Sequence, residues 1–224
     1  MSHNGAVRAT LRSRYGVRAG GRPLKRGDLA VSGASQQFDW MSFDDFEELL
    51  ADKPRNERWE LIGGRVVRMM VGARWEHARI VQNIARRLGN QFDAANSSCQ
   101  AFTETFFMKS RSLDAAMLPN VIVICGDIEP GATSVDTPSV LFEVLSPGTE
   151  ARDRIEKWQV YQRLPSLQHY VLVARDRAHL EVHDRVAGQW NEFRVLEGLD
   201  TLLELPAIGV ALPLREIYQR VFET

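Results

Sequence analysis

The sequence predicts a single α+β domain, α/β in the broad sense, built on a mixed β-sheet flanked by helices. Two stretches have apolar residues at three- and four-residue steps, and several short segments rich in Val, Ile, Phe and Thr are bounded by Gly and Pro. The 224 residues, 44% of them hydrophobic, suffice for one domain with its own core. We therefore expect a tail over residues 1–37 and a folded domain over residues 38–224.

The predicted tail is basic and has no periodic apolar positions, which indicates disorder. It has a formal charge of +6, whereas the rest of the chain has −7. Tails of this kind bind nucleic acid, increase solubility or resemble an organellar transit peptide. These alternatives stay open, as does a translation start near Met41.

The first half of the folded domain begins with a short helix capped by Ser42, with apolar residues from Phe43 to Leu50 at helical spacing. Residues 59–71 form two extended runs around Gly63-Gly64, which predicts a hairpin. The apolar steps from Ile80 to Phe92 then predict the longest helix, over residues 74–95.

The second half alternates strands with short helices. Extended segments are predicted over residues 98–109, 120–125 and 139–146, and a helix over residues 150–164 ends before Pro165. A strand meander follows over 169–174, 180–185 and 192–195, then apolar edge strands over 202–212 and a closing helix from Leu214.

Two cysteines, Cys99 and Cys125, each lie in a predicted buried strand and in no metal-binding pattern. We expect two reduced thiols in a cytoplasmic protein, because free cysteine is commonly buried. The apolar runs are far shorter than the roughly 20 residues that span a bilayer, which predicts no membrane segment.

The helix predicted over residues 150–164 has two charged residues on its apolar face. At about 100° per residue, with Ile155 at zero, Asp153 falls at about 160° and Lys157 at about 200°. The apolar side chains Trp158, Val160, Tyr161 and Leu164 occupy the same arc. An ordinary (i, i+4) ion pair explains this placement, and so does a functional site.

Glu143 favours the functional explanation. It lies within the strand sequence Val-Leu-Phe-Glu-Val-Leu, where a carboxylate is costly to bury without a partner or a metal. Asn120 opens another apolar strand directly after Pro119, and Glu60 in Trp-Glu-Leu-Ile-Gly-Gly offers a third oxygen ligand.

Five motifs follow one another in the chain: Glu-Leu-Ile-Gly-Gly, a helix with His77, Pro-Asn-Val-Ile-Val, Glu-Val-Leu-Ser-Pro, and Arg-Asp-Arg-Ile-Glu-Lys with a following Tyr161. In this order they resemble the Uma-two family of restriction-endonuclease-like proteins, within the PD-(D/E)xK nuclease superfamily. The resemblance covers about residues 41–220 and excludes the basic tail.

The resemblance implies a restriction-endonuclease-like core with an Mg²⁺ or Mn²⁺ site, and an endonuclease that hydrolyses DNA phosphodiester bonds. By position, Glu60 and Glu143 match the family's acids, and Asn120 stands where the family pattern has aspartate. Lys157 matches a catalytic lysine displaced onto the helix, because Leu145 occupies the usual position two residues after the acid. Hard divalent cations prefer oxygen ligands, and a nearby lysine can polarise water or stabilise the phosphate.

Asn120 keeps a carbonyl oxygen but lacks the negative charge of aspartate, so metal affinity and water activation should fall. Three alternatives remain: a weak nuclease, a catalytically degenerate module that binds nucleic acid or a protein partner, and a protein in which Asp114 or Asp153 compensates.

His77 shares a helix face with apolar residues, so it is either a core histidine or a site residue for phosphate contact or proton transfer. We give no function to His169, His179 and His183. The expected partner is DNA and not a membrane. A homodimer is an open alternative, since restriction-like enzymes that cut both strands often pair.

Overall fold

The computed structural model describes residues 40–70 and 72–222, so the predicted tail over residues 1–37 lies outside the described residues. Helix α1, Phe43–Ala51, begins where the sequence predicts. The Ser42 hydroxyl accepts a hydrogen bond from the Asp45 backbone N–H at 3.2 Å, which caps the first turn. Phe43 and Phe46 are buried against the hairpin that follows.

Strands β1, Glu57–Ile62, and β2, Arg65–Met70, form the predicted antiparallel hairpin. Gly63 and Gly64 make the turn with φ angles of +55° and +85°, a conformation that glycine adopts at no steric cost. A side chain on Gly64 would also overlap the Trp40 ring. Both the backbone angle and the available space therefore require glycine at position 64.

Helix α2, Trp75–Ala94, confirms the long helix predicted over residues 74–95. Its buried apolar face consists of Ile80, Val81, Ile84, Leu88 and Phe92. Fully burying a side chain of this size is worth about 1.5–3 kcal/mol. Packing of this face on the central sheet therefore fixes the position of α2.

The remaining elements follow in chain order. The strands are β3, Cys99–Thr103; β4, Phe107–Ser110; β5, Ala115–Met117; β6, Val121–Cys125; β7, Ser134–Val135; β8, Val140–Val144; β9, His169–Val173; β10, His179–Val186; β11, Gln189–Trp190; β12, Arg194–Glu197; β13, Leu202–Leu205; and β14, Val210–Pro213. Helix α3 is a π-helical turn, Arg152–Lys157, that continues as an α-helical turn, Trp158–Tyr161; helix α4 is Leu214–Ile217. Among the described helices, none is long and apolar enough to cross a bilayer.

The central sheet has the strand order β11-β10-β9-β8-β6-β3, with β12 also paired to β10. Strands β8 and β9 are parallel, whereas β6 is antiparallel to both β3 and β8. The sheet is therefore mixed, as predicted. Val140 and Phe142 of β8 face α2, while Leu141 and Leu145 face the opposite side, where alternation also puts Glu143.

A second sheet, in the order β2-β1-β5-β4-β7, lies on that opposite side. One apolar cluster joins the two sheets and α3: it includes Ile62 and Met117 of the second sheet, Leu141 of the central sheet and Tyr161 of α3. This packing brings β1, β8 and α3 together. The three elements are those on which the sequence places the predicted acids and lysine.

The structure differs from the prediction in three places. The segment predicted as extended over residues 98–109 is two strands, because Phe106 N–H donates to the Thr103 carbonyl at 3.2 Å and turns the chain between them. Strands β5, β7 and β11 are not predicted, being only three, two and two residues long. Helix α3 is shorter than the predicted helix and contains a π-helical turn.

The two cysteines form a disulfide, so the prediction of reduced thiols is wrong. Cys99 and Cys125 are direct partners across the antiparallel β3–β6 pair. The two cysteines are 26 residues apart in sequence, and the register of β3 on β6 brings their sulfurs together. Spacing in the sequence does not reveal such a register.

Candidate functional site

A buried ammonium group, that of Lys157, lies among three carboxylates. Its Nζ is 2.8 Å from Glu143 Oε1, 3.4 Å from Glu60 Oε1 and 3.4 Å from Asp153 Oδ1. These four side chains, which we call the Lys157 cluster, are all less than 5% exposed. The cluster therefore combines β1, β8 and α3 in one charged site inside the protein.

Local structure accounts for each position in the Lys157 cluster. Glu60 lies in the half of β1 that is buried on both faces, from Trp59 to Ile62, and Glu143 lies in β8, whose five residues are all buried. Asp153 and Lys157 lie in the π-helical turn of α3, a conformation often found at functional sites. Both lie on the helix face that the sequence predicts to point inward and both are buried, while Ile155 on the opposite side is 58% exposed.

The Lys157 cluster has a formal charge of −2 when all four groups are ionised. Burial raises the pKa of Glu143 to about 8, although the ammonium of Lys157 opposes this shift. Burial likewise raises the pKa of Asp153. Burial alone would lower the pKa of Lys157, but the surrounding carboxylates raise it well above its usual value. The lysine is thus charged at neutral pH, and the cluster tends to take up a proton or a further positive charge.

Two tyrosines support the Lys157 cluster from the core. Tyr161 donates from its hydroxyl to Glu143 Oε1 at 3.2 Å, and Tyr170 donates to the Asp153 backbone carbonyl at 2.9 Å. Burial, and then the negative charge of Glu143, raises the pKa of each phenol well above its usual value. Both tyrosines therefore remain neutral hydrogen-bond donors and fix the acids in place.

Only one of the two carboxylate oxygens of Glu60 has a hydrogen-bond partner among the described residues. Its Oε1 accepts the Leu118 backbone N–H at 2.8 Å as well as facing Lys157. Its Oε2 is buried with no hydrogen-bond partner among the described residues. A buried carboxylate oxygen without a partner is energetically costly, so this atom is available for a further ligand.

Asn120 lies just before β6, next to the strand that bears Glu143. Its Oδ1 accepts the Val144 backbone N–H at 2.7 Å, and its Nδ2 donates to Glu104 Oε1 at 2.8 Å. Asn120 is 8% exposed. The side chain therefore links the strand of Glu143 to a fourth acid, Glu104, that the sequence analysis does not single out.

A cleft of about 850 Å³ opens onto these residues. Its walls include Glu60, Asn120, Glu143, Asp153 and Lys157. Its basic lining residues are Arg58, Arg74, Arg152 and Arg175. The buried acids are therefore reachable from solvent through an opening lined by arginines.

His77 of α2 also lines the cleft. Its Nδ1 is buried without a hydrogen-bond partner among the described residues. Burial lowers the pKa of His77, with Glu104 and Asn120 opposing the shift. At neutral pH the imidazole is neutral and can accept a proton.

The structure brings most of the predicted site residues together. Glu60, Glu143 and Lys157 are in direct contact, and Asn120 and His77 line the same cleft. Of the two acids considered as substitutes for an aspartate at position 120, Asp153 belongs to the Lys157 cluster. Asp114 instead accepts the Phe43 backbone N–H at 2.8 Å and is not among the cleft residues, so it does not compensate.

The three histidines without a predicted function lie outside the cleft lining. His169 contacts Asp184 at 2.7 Å, and His179 contacts Glu197 at 3.0 Å. His183 stacks on Trp158, with ring centroids 4.1 Å apart. All three therefore have structural partners away from the buried acids.

The donor set of the site suits a hard divalent cation in chemistry and in charge. It offers carboxylate and carboxamide oxygens, a formal charge of −2 when all four groups of the cluster are ionised, and the unpartnered Glu60 Oε2. Within residues 40–70 and 72–222, however, no three Asp, Glu, His or Cys side chains are arranged as a ready metal cage. In this structure the Lys157 ammonium, 2.8–3.4 Å from three carboxylates, is the cation of the cluster.

The chain is similar to several known proteins. Residues 43–215 match the sequence model of the family Uma2, described as "Putative restriction endonuclease". Two uncharacterized proteins of Synechocystis sp. are 27% and 25% identical to it; the alignments cover 77% and 64% of this chain and 90% and 82% of those proteins. A crystal structure from Anabaena variabilis, described as a putative nuclease belonging to DUF820, has a TM-score of 0.61 at 19% identity. That match covers 81% of this chain and 99% of the other, and it shows a shared fold.

Proposed function

Because the chain belongs to the Uma2 family of restriction-endonuclease-like proteins, we propose that it is a metal-dependent endonuclease that hydrolyses DNA phosphodiester bonds. The observation that supports this most directly is the Lys157 cluster at the base of an arginine-lined cleft. Buried acids of net negative charge beside a lysine suit a cation and a phosphate together. Few structural roles would justify the cost of burying three acids.

Glu60, Asn120 and Glu143 would hold Mg²⁺ or Mn²⁺ through oxygen atoms, with Asp153 as a further acid of the cluster. Such an ion, when bound, activates water and neutralises the charge that develops on the phosphate. Lys157 keeps its positive charge because three acids surround it. The Lys157 ammonium would donate to a phosphate oxygen of the substrate.

The remaining cleft residues fit a polyanionic substrate. Arg74, Arg152 and Arg175 supply guanidinium groups at the opening, and such groups bind phosphate through paired N–H donors. His77 is neutral at physiological pH and can take up a proton from the attacking water or contact a phosphate oxygen. We propose that the DNA backbone lies along this lining, with one phosphate above the Lys157 cluster.

Incubation of the purified full chain with supercoiled plasmid tests the proposal. With Mg²⁺ or Mn²⁺ the natural protein should convert the plasmid to nicked and linear forms, and excess chelator should stop the reaction. E143Q and K157M should lose the activity, whereas E192Q, which alters an exposed acid outside the cleft, should keep it. Absence of nicking with both ions would refute the proposal.

A second candidate is a catalytically degenerate nuclease-fold module that binds nucleic acid or a protein partner. Asn120 favours it, because an amide replaces the expected acid, and so does the lysine already seated among the carboxylates. This module should bind DNA with no dependence on divalent ions and leave plasmid intact. Appearance of nicking only in N120D would support the degenerate alternative, and equal nicking by both proteins would reject it.

Three further features belong to the same proposal. The basic segment 1–37, outside the described residues, would add affinity for DNA, and its deletion should weaken binding and flatten the salt dependence. Two copies would pair to cut both strands, which sedimentation of the protein with and without DNA would reveal. We place the protein in the cytoplasm, where its substrate would be found.

A further inference from the structure

Glu104 lies on the wall of the cleft in the turn between β3 and β4. Its Oε1 accepts a hydrogen bond from Asn120 Nδ2 at 2.8 Å. Its side chain is 32% exposed, so the carboxylate reaches the solvent of the cleft while it contacts Asn120. Glu104 is thus an accessible acid beside the position where the sequence resemblance expects an aspartate.

The orientation of the Asn120 amide is determined by its surroundings. Oδ1 accepts the Val144 backbone N–H at 2.7 Å, so the other end of the amide, Nδ2, faces Glu104. An amide nitrogen only donates, and it therefore requires an acceptor in that direction. The Glu104 carboxylate meets this requirement.

Arg58 also holds Glu104 in place. Its guanidinium is 3.5 Å from Glu104 Oε1 and also donates to the backbone carbonyls of Glu104, at 3.2 Å, and Leu118, at 3.4 Å. Both the side chain and the backbone of residue 104 are thus tied to the segment that leads into Asn120. The carboxylate has a defined place in the cleft.

The residue types at positions 104 and 120 depend on each other. An aspartate at position 120 with its outer oxygen where Nδ2 lies would face the Glu104 carboxylate at about 2.8 Å with no proton between them. Two ionised acids at that distance repel, and one would have to be protonated or move away. The pair thus has a single negative charge, located on Glu104 instead of on residue 120.

We propose that Glu104 supplies the carboxylate that position 120 lacks and is a further cation-binding residue of the cleft. This inference rests on the proposed function, because the cation is the divalent ion of the nuclease site. The Glu104 carboxylate would then add an oxygen donor to those that Glu60, Asn120 and Glu143 offer in the same cleft, and such donors suit Mg²⁺ or Mn²⁺. Asn120 orients Glu104 through Nδ2, and its Oδ1, which accepts the Val144 N–H, keeps a second lone pair for the ion.

An exchange of the two residue types tests the assignment. In E104Q the pair has two amides and no charge, whereas in E104Q/N120D the carboxylate and the amide change places and the hydrogen bond is kept. Mn²⁺ affinity of the full chain, measured by calorimetry and by electron paramagnetic resonance, should fall roughly ten- to hundred-fold in E104Q. The double variant should regain the natural affinity to within about three-fold, and E192Q should match the natural protein.

Each outcome of this experiment supports or rejects the role of Glu104 in cation binding. If the natural protein binds Mn²⁺ and E104Q binds it equally well, the role of Glu104 is rejected while the proposed function stands. If E104Q loses binding and the exchange does not restore it, the loss is structural and the assignment is overturned. If the natural protein binds no Mn²⁺, both proposals fail. Should E104Q not fold, the double variant alone decides, since natural affinity supports the assignment and lost affinity rejects it.

Discussion

Substitution of Glu143 by glutamine should change how the stability of the protein depends on pH. Burial raises the pKa of the Glu143 carboxyl from 4.5 to about 8 in the folded protein. Between these values the folded state holds a proton that the unfolded state has released. Folding stability is therefore greatest below the unfolded pKa and falls as the pH rises through about 8.

The size of this effect follows from the same shift. When the folded state holds one proton more than the unfolded state, the free energy of unfolding falls by up to about 1.4 kcal/mol for each unit by which the pH rises. Over the interval from 4.5 to about 8 the total for Glu143 is at most about 5 kcal/mol. That is a large part of the roughly 5–15 kcal/mol that stabilises a typical domain.

E143Q resembles the protonated acid, since its amide oxygen can still accept from Lys157 and Tyr161. We expect urea unfolding in chelator, followed by tryptophan fluorescence at pH 5 to 9, to give a falling curve for the natural protein and a flatter one for E143Q. The variant should be the more stable of the two above about pH 8. The lowered pKa of His77 contributes equally to both proteins and cancels in the difference.

E192Q, a neutralisation of an exposed acid outside the cleft, should follow the natural curve at every pH. Parallel curves for the natural protein and E143Q would refute the reasoning. They would mean that Glu143 is ionised in the folded state across the whole range, with Lys157 compensating its burial completely.

Three further predictions concern the same site. K157M should lower the free energy of unfolding by about 3–5 kcal/mol at pH 8 and by less at pH 5, because it leaves buried acids without a cation until they take up protons. K109M, which breaks a partly exposed ion pair, should lower it by under about 1 kcal/mol in the same urea experiment. Binding of Mn²⁺ at pH 7 should release about 0.9 proton per ion, because that is the protonated fraction of a group with a pKa of about 8. Calorimetry in buffers of different ionisation heat measures this release, and no release would mean that the acids are already ionised. The double variant R74A/R175A should bind a DNA duplex more weakly in fluorescence anisotropy. The slope of log affinity against log salt concentration should become smaller by about 0.9 for each phosphate that the protein no longer neutralises. R177A, which alters an exposed arginine outside the cleft, should leave the affinity and the slope unchanged.

Parts of this fold are predictable because the sequence pattern has the same period as the structure. Helix α2 shows its buried face from Ile80 to Phe92 at three- and four-residue steps, and the hairpin shows its turn in Gly63-Gly64. The site is partly predictable for a related reason. Charged residues such as Glu143 and Lys157 are conspicuous where the pattern requires apolar ones.

Other parts depend on contacts that no local pattern records. Strand β5 is three buried residues, too short to show alternation, and its place is fixed by its partners in β1 and β4. In the π-helical turn of α3 the backbone hydrogen bonds join residues five apart instead of four, and the spacing of the apolar residues does not show this. Glu104 lies in a turn between two strands, and only the folded chain reveals that it meets Asn120.

On the proposed function, we infer that the site keeps its charges although other sequence positions supply them. Position 145, two residues after Glu143, holds a leucine packed in the core between the two sheets, so a lysine there would have to replace buried apolar contacts. Helix α3 supplies the ammonium instead, and its Nζ still lies 2.8 Å from Glu143. By the same logic we infer that the negative charge absent from position 120 is provided by Glu104, one hydrogen bond away. The sequence then departs from the family pattern at positions 120 and 145, although the cleft is lined by a lysine and by a further acid.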